Sequence, residues 1–364
     1  MSTSPSTDVV KPVVIIGGGR MGLAIATLLQ SDGTYAPLIV EQDYERLKEL
    51  QHLDFNCVEA RGTDSEKLTP LLKDADAVIC AAPASIAPFV ARMAVEAGCH
   101  YVDLCEDPVV IEKIADQAGN AVTGVAPGCG LAPGYVSLLV DDMIKRAGPS
   151  VDITAYVGVL PAIRTNRLGY GNMWGIDGLL SEYARPCKAI VNGHAKVLAP
   201  LQELEQLSVD ATQYEAFTTA GSLDDLVDHY QGKVQGLMFK TLRYPGHLDY
   251  FQFLQEDLRL SERPYMLKNL LLNGLQAVQM DKVIIHIVDH NDDKGNAITK
   301  VFEATEQSDG YVQSAVSTVA AAHACATMDI LVRNLAPRGG LLHHTMLKLE
   351  LLGKSGFMRF IQPM

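Results

Sequence analysis

The sequence predicts an α/β protein: a doubly wound parallel sheet, followed by a second α+β domain built on a mixed sheet. The run Val13-Val14-Ile15-Ile16 is short, apolar and β-branched, as a strand buried on both faces would be, and it stops at Gly17-x-Gly19-x-x-Gly22. Short apolar runs then alternate with helix-spaced segments as far as residue 125. From residue 151 the texture changes to alternating strands with fewer helices. At 364 residues the chain exceeds one ordinary core. The expected division is a first domain over 1–133, a second over 134–308, and a C-terminal helical segment, 309–364, packing back on the first domain.

In the first domain, strands are expected at 13–16, 37–40, 55–58, 77–80, 101–104 and 121–125. Helices with apolar residues at three- and four-residue spacing are expected at 21–29, 43–53, 65–73, 85–97 and 108–118. The stretch Pro127-Gly128-Cys129-Gly130-Leu131-Ala132-Pro133-Gly134 interrupts the alternation, and its prolines and glycines set a compact loop between domains. Strands at 151–160, 188–191, 195–198, 233–242, 282–288 and 297–305 follow, the second and third joined by Asn192-Gly193, with helices at 177–183, 223–231 and 267–280. A long alanine-rich helix over 311–334 is apolar on most faces and is expected to be buried.

The glycine turn is the first chemical signal. Gly17 allows the tight turn, Gly19 lets the backbone approach a pyrophosphate, and Gly22 lets the helix pack on its strand; the amides of Arg20 and Met21 begin that helix. Unpaired N–H groups and the positive helix end favour a diphosphate. The next apolar run ends at Glu41, whose carboxylate is placed to accept the adenosine ribose hydroxyls and repel a 2′-phosphate. The expected fold is therefore Rossmann-like and the expected cofactor NAD. Arg46, about one helical turn beyond Glu41, is the residue that argues for NADP. Asp64 is suited to the adenine amino group, and the small Ala81-Ala82-Pro83 to passage of the nicotinamide half.

With 30 Lys plus Arg against 43 Asp plus Glu, the net charge of −13 disfavours nucleic acid. No stretch is read as spanning a membrane, and residues 1–12 lack the pattern of a secretory signal, so a cytoplasmic protein is expected. The 7 cysteines show no C-x-x-C spacing, and no metal site is expected.

In the second domain, Thr241-Leu242-Arg243-Tyr244-Pro245-Gly246-His247 places an arginine, a tyrosine and a histidine at a strand end, and the only tryptophan, Trp174, follows a Gly-rich loop. Arginine suits a carboxylate, through two parallel hydrogen bonds. By pattern alone Trp174 is more often core, Arg243 a surface ion pair and His247 a helix N-terminal residue. Arg243, Tyr244, Trp174 and Gly130 are the candidates for substrate binding; His247 is the first candidate for a proton-accepting base and Asp103 the second.

The glycine loop through Ala81-Ala82-Pro83, HYVDLCEDP (100–108), GCGLAPGY (128–135), YEAFTTAGSLDDL (214–226) and KTLRYPGHLDY (240–250) together resemble the saccharopine dehydrogenase-like family, and within it the NAD-dependent L-lysine 6-dehydrogenases. The resemblance implies a bilobed homodimeric oxidoreductase acting on CH-NH2 or CH-NH groups of an amino-acid substrate, with Arg243 as carboxylate clamp. Saccharopine reductases similar to this chain carry an Asp where Ala132 stands, so the lysine ε-amine is the preferred substrate. The alternatives are a saccharopine or carboxynorspermidine dehydrogenase acting on a secondary amine, and a non-catalytic NAD-binding protein.

Overall fold

The computed structural model describes residues 10–173, 175–292, 295–306, 312–337 and 339–362. The chain forms two compact units, Met1–Tyr135 with Ala320–Met364, and Val136–Val319.

The first unit alternates β1 (Lys11–Ile16), α1 (Arg20–Asp32), β2 (Tyr35–Glu41), α2 (Tyr44–His52), β3 (Cys57–Glu59), α3 (Ser65–Lys73), β4 (Ala77–Cys80), α4 (Ala87–Ala97), β5 (His100–Asp103), α5 (Pro108–Ala118) and β6 (Gly124–Ala126). Every strand pairing is parallel, and the sheet has 7 strands. Its order runs from Gly340–Leu341 through β6, β5, β4, β1 and β2 to β3, so the chain reverses direction between β1 and β4. Ligands bind such sheets beyond the carboxyl ends of the strands at that reversal. Val13, Val14, Ile15 and Ile16 are buried, which explains their unbroken apolar run. Asp43, Asp64 and Asp107 start α2, α3 and α5 by accepting N–H bonds from the first turn.

Two glycines of the first turn, Gly17 and Gly22, are each required by the fold. Gly17 has φ +99°, and a Cβ there would meet the Ala81 carbonyl oxygen at 3.1 Å. A Cβ on Gly22 would lie 1.8 Å from the Gly17 carbonyl oxygen, so helix and turn touch with no room for a methyl group. Gly22→Ala is expected to cost about 1–3 kcal/mol through overpacking and to weaken NADH binding. Thermal unfolding and NADH fluorescence titration check this; a variant with parental Tm and affinity would refute the close-packing argument.

The second unit runs α6 (Tyr135–Ala147, entered from the first unit), β7 (Asp152–Pro161), α7 (Ile176–Ala184), β8 (Cys187–Val191), β9 (His194–Leu198), β10 (Glu205–Val209), β11 (Thr212–Thr218), α8 (Asp224–Tyr230), β12 (Gly236–Arg243), α9 (His247–Gln252), α10 (Pro264–Gly274), β13 (Asp281–Asp289) and β14 (Ala297–Glu303). The main sheet orders β10-β11-β12-β7-β13-β14, and the β8–β9 hairpin joins it at Leu237↔Ile190 of β12. β12 and β7 are parallel and the remaining pairs antiparallel, so the sheet is mixed. Side chains alternate across β12, which sends Thr241 and Arg243 to one face and Leu242 and Tyr244 to the other.

Among the described strands not expected from the sequence, the two-residue strands 312–313 and 340–341 are too brief to show a period, and two longer ones lack it. β10 (EQLSV) and β11 (TQYEAFT) carry polar residues at both parities, so neither shows clean alternation. The final long helix, α11 (Ala315–Val332), is shorter at both ends than expected. By length and composition its 18 residues are apolar enough to cross a membrane, which the sequence was not expected to contain, yet that window is 94% buried inside the protein. It is a core helix by burial.

Candidate functional site

In the first unit the carboxyl end of β1 opens into an anion cradle. α1 starts at Gly19 with no side-chain cap and no acidic residue in its first turn, so its leading N–H groups have no side-chain acceptor. A Cβ at Gly19 would meet nothing within 4 Å, in contrast to Gly17 and Gly22. The turn is thus closed on the protein side and open at the place where a pyrophosphate approaches. Arg20 is exposed and Met21 half-buried at this mouth. Ala81, Ala82 and Pro83 run beside it: Ala81 N–H donates to the Ile16 carbonyl at 2.9 Å, and a Cβ at Gly17 would contact Ala82 Cα at 3.2 Å.

Glu41 ends β2 next to this turn. Its Oε2 accepts Gly18 N–H at 2.7 Å, and its Oε1 accepts Gln42 and Asp43 N–H at 2.7 and 2.8 Å. The carboxylate is therefore fixed at the position where an adenosine ribose docks in this fold. Arg46 is engaged elsewhere, with Nε donating to the Gly18 carbonyl at 2.7 Å and its terminal nitrogen bonded to Glu49 at 2.7 Å. Asp64 spends its carboxylate on Lys67 N–H, capping α3. These residues fit a dinucleotide: an uncapped helix start, an unfilled space at Gly19 and a fixed acid at the end of β2.

Asp103, expected as second candidate for a base, is a loop anchor. Its Oδ1 accepts Cys105 and Gly128 N–H, each at 2.8 Å, and its Oδ2 accepts the Tyr101 hydroxyl at 2.7 Å. Burial pushes its carboxyl up, while the Gly128 N–H and Tyr101 hydroxyl oppose that rise. The 127–134 loop is pinned again by His344 Nε2 at the Gly128 carbonyl and by His323 Nδ1 at the Gly130 carbonyl, both 3.0 Å. Gly130, expected to touch substrate, also gives its carbonyl to Tyr135 N–H.

In the second unit, β12, α7 and α9 bring Arg243, Tyr183 and His247 together. Arg243 is 2% exposed; its Nε donates to the Tyr183 hydroxyl at 2.8 Å and NH1 to the Leu242 carbonyl at 2.9 Å. Its guanidinium carbon lies 5.2 and 5.6 Å from the ring centres of Tyr170 and Tyr183. NH2 makes no hydrogen bond among the described residues, and the nearest carboxylate oxygen, Glu182 Oε2, is 3.9 Å away. A buried guanidinium with a free edge is a poised anion receptor.

His247 is fully buried, with rings of Phe217 and Phe251 stacked on it at 6.2 and 5.9 Å. Its Nδ1 lies 2.8 Å from the Leu168 carbonyl, which only accepts, so Nδ1 carries the proton. Nε2 then accepts from the Tyr183 hydroxyl at 3.0 Å. Burial first, and the Arg243 charge second, pull His247 down to about 3. The expected base thus has no free nitrogen and little affinity for a proton; it is the neutral end of a chain that orients Tyr183 and, through it, Arg243.

Tyr244 does not converge with Arg243. Its hydroxyl donates to the Pro161 carbonyl at 2.9 Å and its ring packs with Tyr214, on the opposite face of the sheet. Trp174 lies outside the described residues. Residues that the sequence reading passed over are Tyr170, Glu182, Tyr183 and Glu215. Glu215 stands opposite Arg243 in the β11–β12 register, and its carboxylate accepts Gly246 and Leu248 N–H at 2.7 Å each, fixing the turn that carries His247. The only sequence signal for it was its place inside the YEAFTTAG segment.

A Rossmann-like sheet with this glycine cradle defines the first unit as a nicotinamide-dinucleotide-binding domain, and the second unit is a mixed sheet holding a buried arginine. Residues 13–125 match the saccharopine dehydrogenase NADP binding domain, and residues 130–348 the saccharopine dehydrogenase C-terminal domain. The chain belongs to the saccharopine dehydrogenase family. It is 26% identical over 194 residues to the mitochondrial alpha-aminoadipic semialdehyde synthase of Rattus norvegicus, covering 50% of this chain and 21% of that protein. It is 30% identical over 211 residues to the alpha-aminoadipic semialdehyde synthase of Arabidopsis thaliana, covering 53% and 19%. The match thus spans about a fifth of these curated relatives. Among solved structures, the apo saccharopine dehydrogenase (L-Glu forming) of Saccharomyces cerevisiae shares the fold, with a TM-score of 0.74, 16% identity and coverage of 94% and 95% of the two chains.

Proposed function

We propose that the protein is an NAD-dependent dehydrogenase that oxidises the ε-amine of L-lysine to an imine, which water hydrolyses to the semialdehyde and ammonia. The observation that carries the reading is Arg243, a buried guanidinium held by Tyr183 and Leu242 with one edge unspent. It suits a single carboxylate at a fixed place, so the amine at the far end of a four-methylene chain is what reaches the reacting centre. When bound, the nicotinamide ring supplies the hydride acceptor. The fixed carboxylate of Glu41 favours ribose hydroxyls over a 2′-phosphate, although the matched domain is described as NADP-binding. Ala132 supports a primary amine over a secondary one, because the loop then offers no acid to a second amino-acid moiety.

The amine must be neutral before its carbon releases hydride. Neither His247 nor Asp103 is free to take that proton, so the deprotonated amine is drawn from solution. The expected result is a kcat/KM for lysine that rises about tenfold per pH unit between about pH 6 and 8, as the neutral fraction of an ammonium with a pKa of about 10.4 does, with no inflection near the usual histidine value of about 6.5. A pH–rate profile measures it; an inflection between pH 6 and 8 that disappears in His247→Asn would restore His247 as the base. The reading as a whole is tested by NADH absorbance with purified protein, NAD or NADP, and lysine or saccharopine. NAD reduction by lysine with ammonia release supports it. Turnover of saccharopine alone would move the protein to the secondary-amine branch, which the saccharopine dehydrogenase relatives favour.

A further inference from the structure

Glu182, on α7 immediately before Tyr183, has a divided carboxylate. Its Oε1 is within hydrogen-bond distance of the Thr219 and Thr241 hydroxyls, at 2.8 and 2.5 Å, and these hydroxyls lie 2.7 Å from each other. Its Oε2 accepts no hydrogen bond among the described residues and faces Arg243 NH2 across 3.9 Å. The side chain is 15% exposed, against 2% for Arg243. A purely structural Arg–Glu pair in so dry a place would close to two parallel contacts, since the attraction offsets desolvation only with good geometry. Here the pair stands open, with one free donor edge beside one free acceptor oxygen, and the threonine hydroxyls hold the acid in that pose.

An open pair of this kind complements a zwitterion. The carboxylate and ammonium of an α-amino acid are carried on one carbon, and they present the reverse order of charges to Arg243 NH2 and Glu182 Oε2. We propose that Glu182 binds the α-ammonium group of the substrate, so that Arg243 and Glu182 together form a receptor for an α-amino-acid head group. Thr219 and Thr241 are positioning residues that leave only Oε2 for the ligand. The inference rests on the reading of Arg243 as the carboxylate clamp, and it makes the enzyme selective for amino acids over ω-amino acids of the same length. It applies equally to lysine and to the lysine-derived half of saccharopine, which carry the same head group.

The test compares lysine with 6-aminohexanoate, which keeps the chain and carboxylate and lacks the α-amino group, for the wild type and Glu182→Gln. A charge-assisted hydrogen bond of this kind implies a preference for lysine of about tenfold or more in wild-type kcat/KM, carried by KM, and its loss in the variant. A wild type with no preference, or a variant with the parental ratio, would overturn the proposal. Should lysine reduce neither NAD nor NADP, the deaminating reading fails; calorimetric binding of saccharopine and of its analogue lacking the α-amino group to wild-type protein then decides Glu182 separately. Tighter binding of saccharopine sustains it, and equal affinities overturn it. The wild-type comparison needs no folded variant, so misfolding of Glu182→Gln leaves the question answerable.

Discussion

Arg243→Lys is expected to lower kcat/KM for lysine, the proposed substrate, by about a hundred- to a thousandfold, because the bidentate fork that places the carboxylate is lost. The substitution keeps the positive charge and removes the fork. Arg243 uses Nε on Tyr183 and NH1 on Leu242 to hold its free edge in place, and an ammonium group on a flexible stem reproduces neither bond. The loss should therefore appear in kcat as well as KM, because a carboxylate held loosely lets the distant amine drift from its reacting position. Cadaverine, which has the amine and no carboxylate, is the control. Its slow turnover should change less than tenfold. Equal losses for lysine and cadaverine would mean that Arg243 supports the fold of the site and does not clamp the substrate; an unchanged Tm by thermal unfolding would separate that case from global destabilisation.

The parallel sheet and its cofactor cradle were legible because each rests on local physics. A strand buried on both faces must be continuously apolar, as residues 13–16 are, and a helix start that touches its own turn must lack a Cβ, as Gly22 does. The second site was legible only in part. Arg243 was visible as an arginine at a strand end, whereas Tyr183, Glu182 and Glu215 reach it from α7 and β11, at 60, 61 and 28 residues' remove in sequence. Such convergence is a property of register and of helix placement, which no spacing rule encodes. Tyr244 shows the complementary error. It sits beside Arg243 in the motif, yet strand alternation sends neighbours to opposite faces, so sequence adjacency separates the two side chains. His247 was read from the ordinary titration range of its residue type, and the two stacked phenyl rings, a carbonyl and a tyrosine hydroxyl around it leave that range inapplicable.

On the proposed NAD reading, Glu41→Gln should reduce the preference for NAD over NADP by about a hundredfold or more, measured as the ratio of the two kcat/KM values. The amide keeps the shape of the carboxylate and one acceptor oxygen; with that oxygen on Gly18 N–H, the NH2 faces the Gln42 and Asp43 amides, which lose their acceptor, and the negative charge is lost. Two effects then act in the same direction. Hydrogen bonds from the ribose hydroxyls weaken from charge-assisted to neutral, which is worth about 1–2 kcal/mol against NAD. Repulsion of a 2′-phosphate disappears, and at a partly buried place that like-charge term is of similar size. Arg46 sets the ceiling on the gain for NADP, since its guanidinium is already committed to the Gly18 carbonyl and to Glu49 and must break both bonds to reach a phosphate. A double variant that also carries Glu49→Gln weakens one of those bonds from charge-assisted to neutral and should raise NADP turnover further. If the single variant kept the parental preference, Glu41 would be a structural acceptor for the 18, 42 and 43 amides alone, and cofactor choice would lie with Arg46.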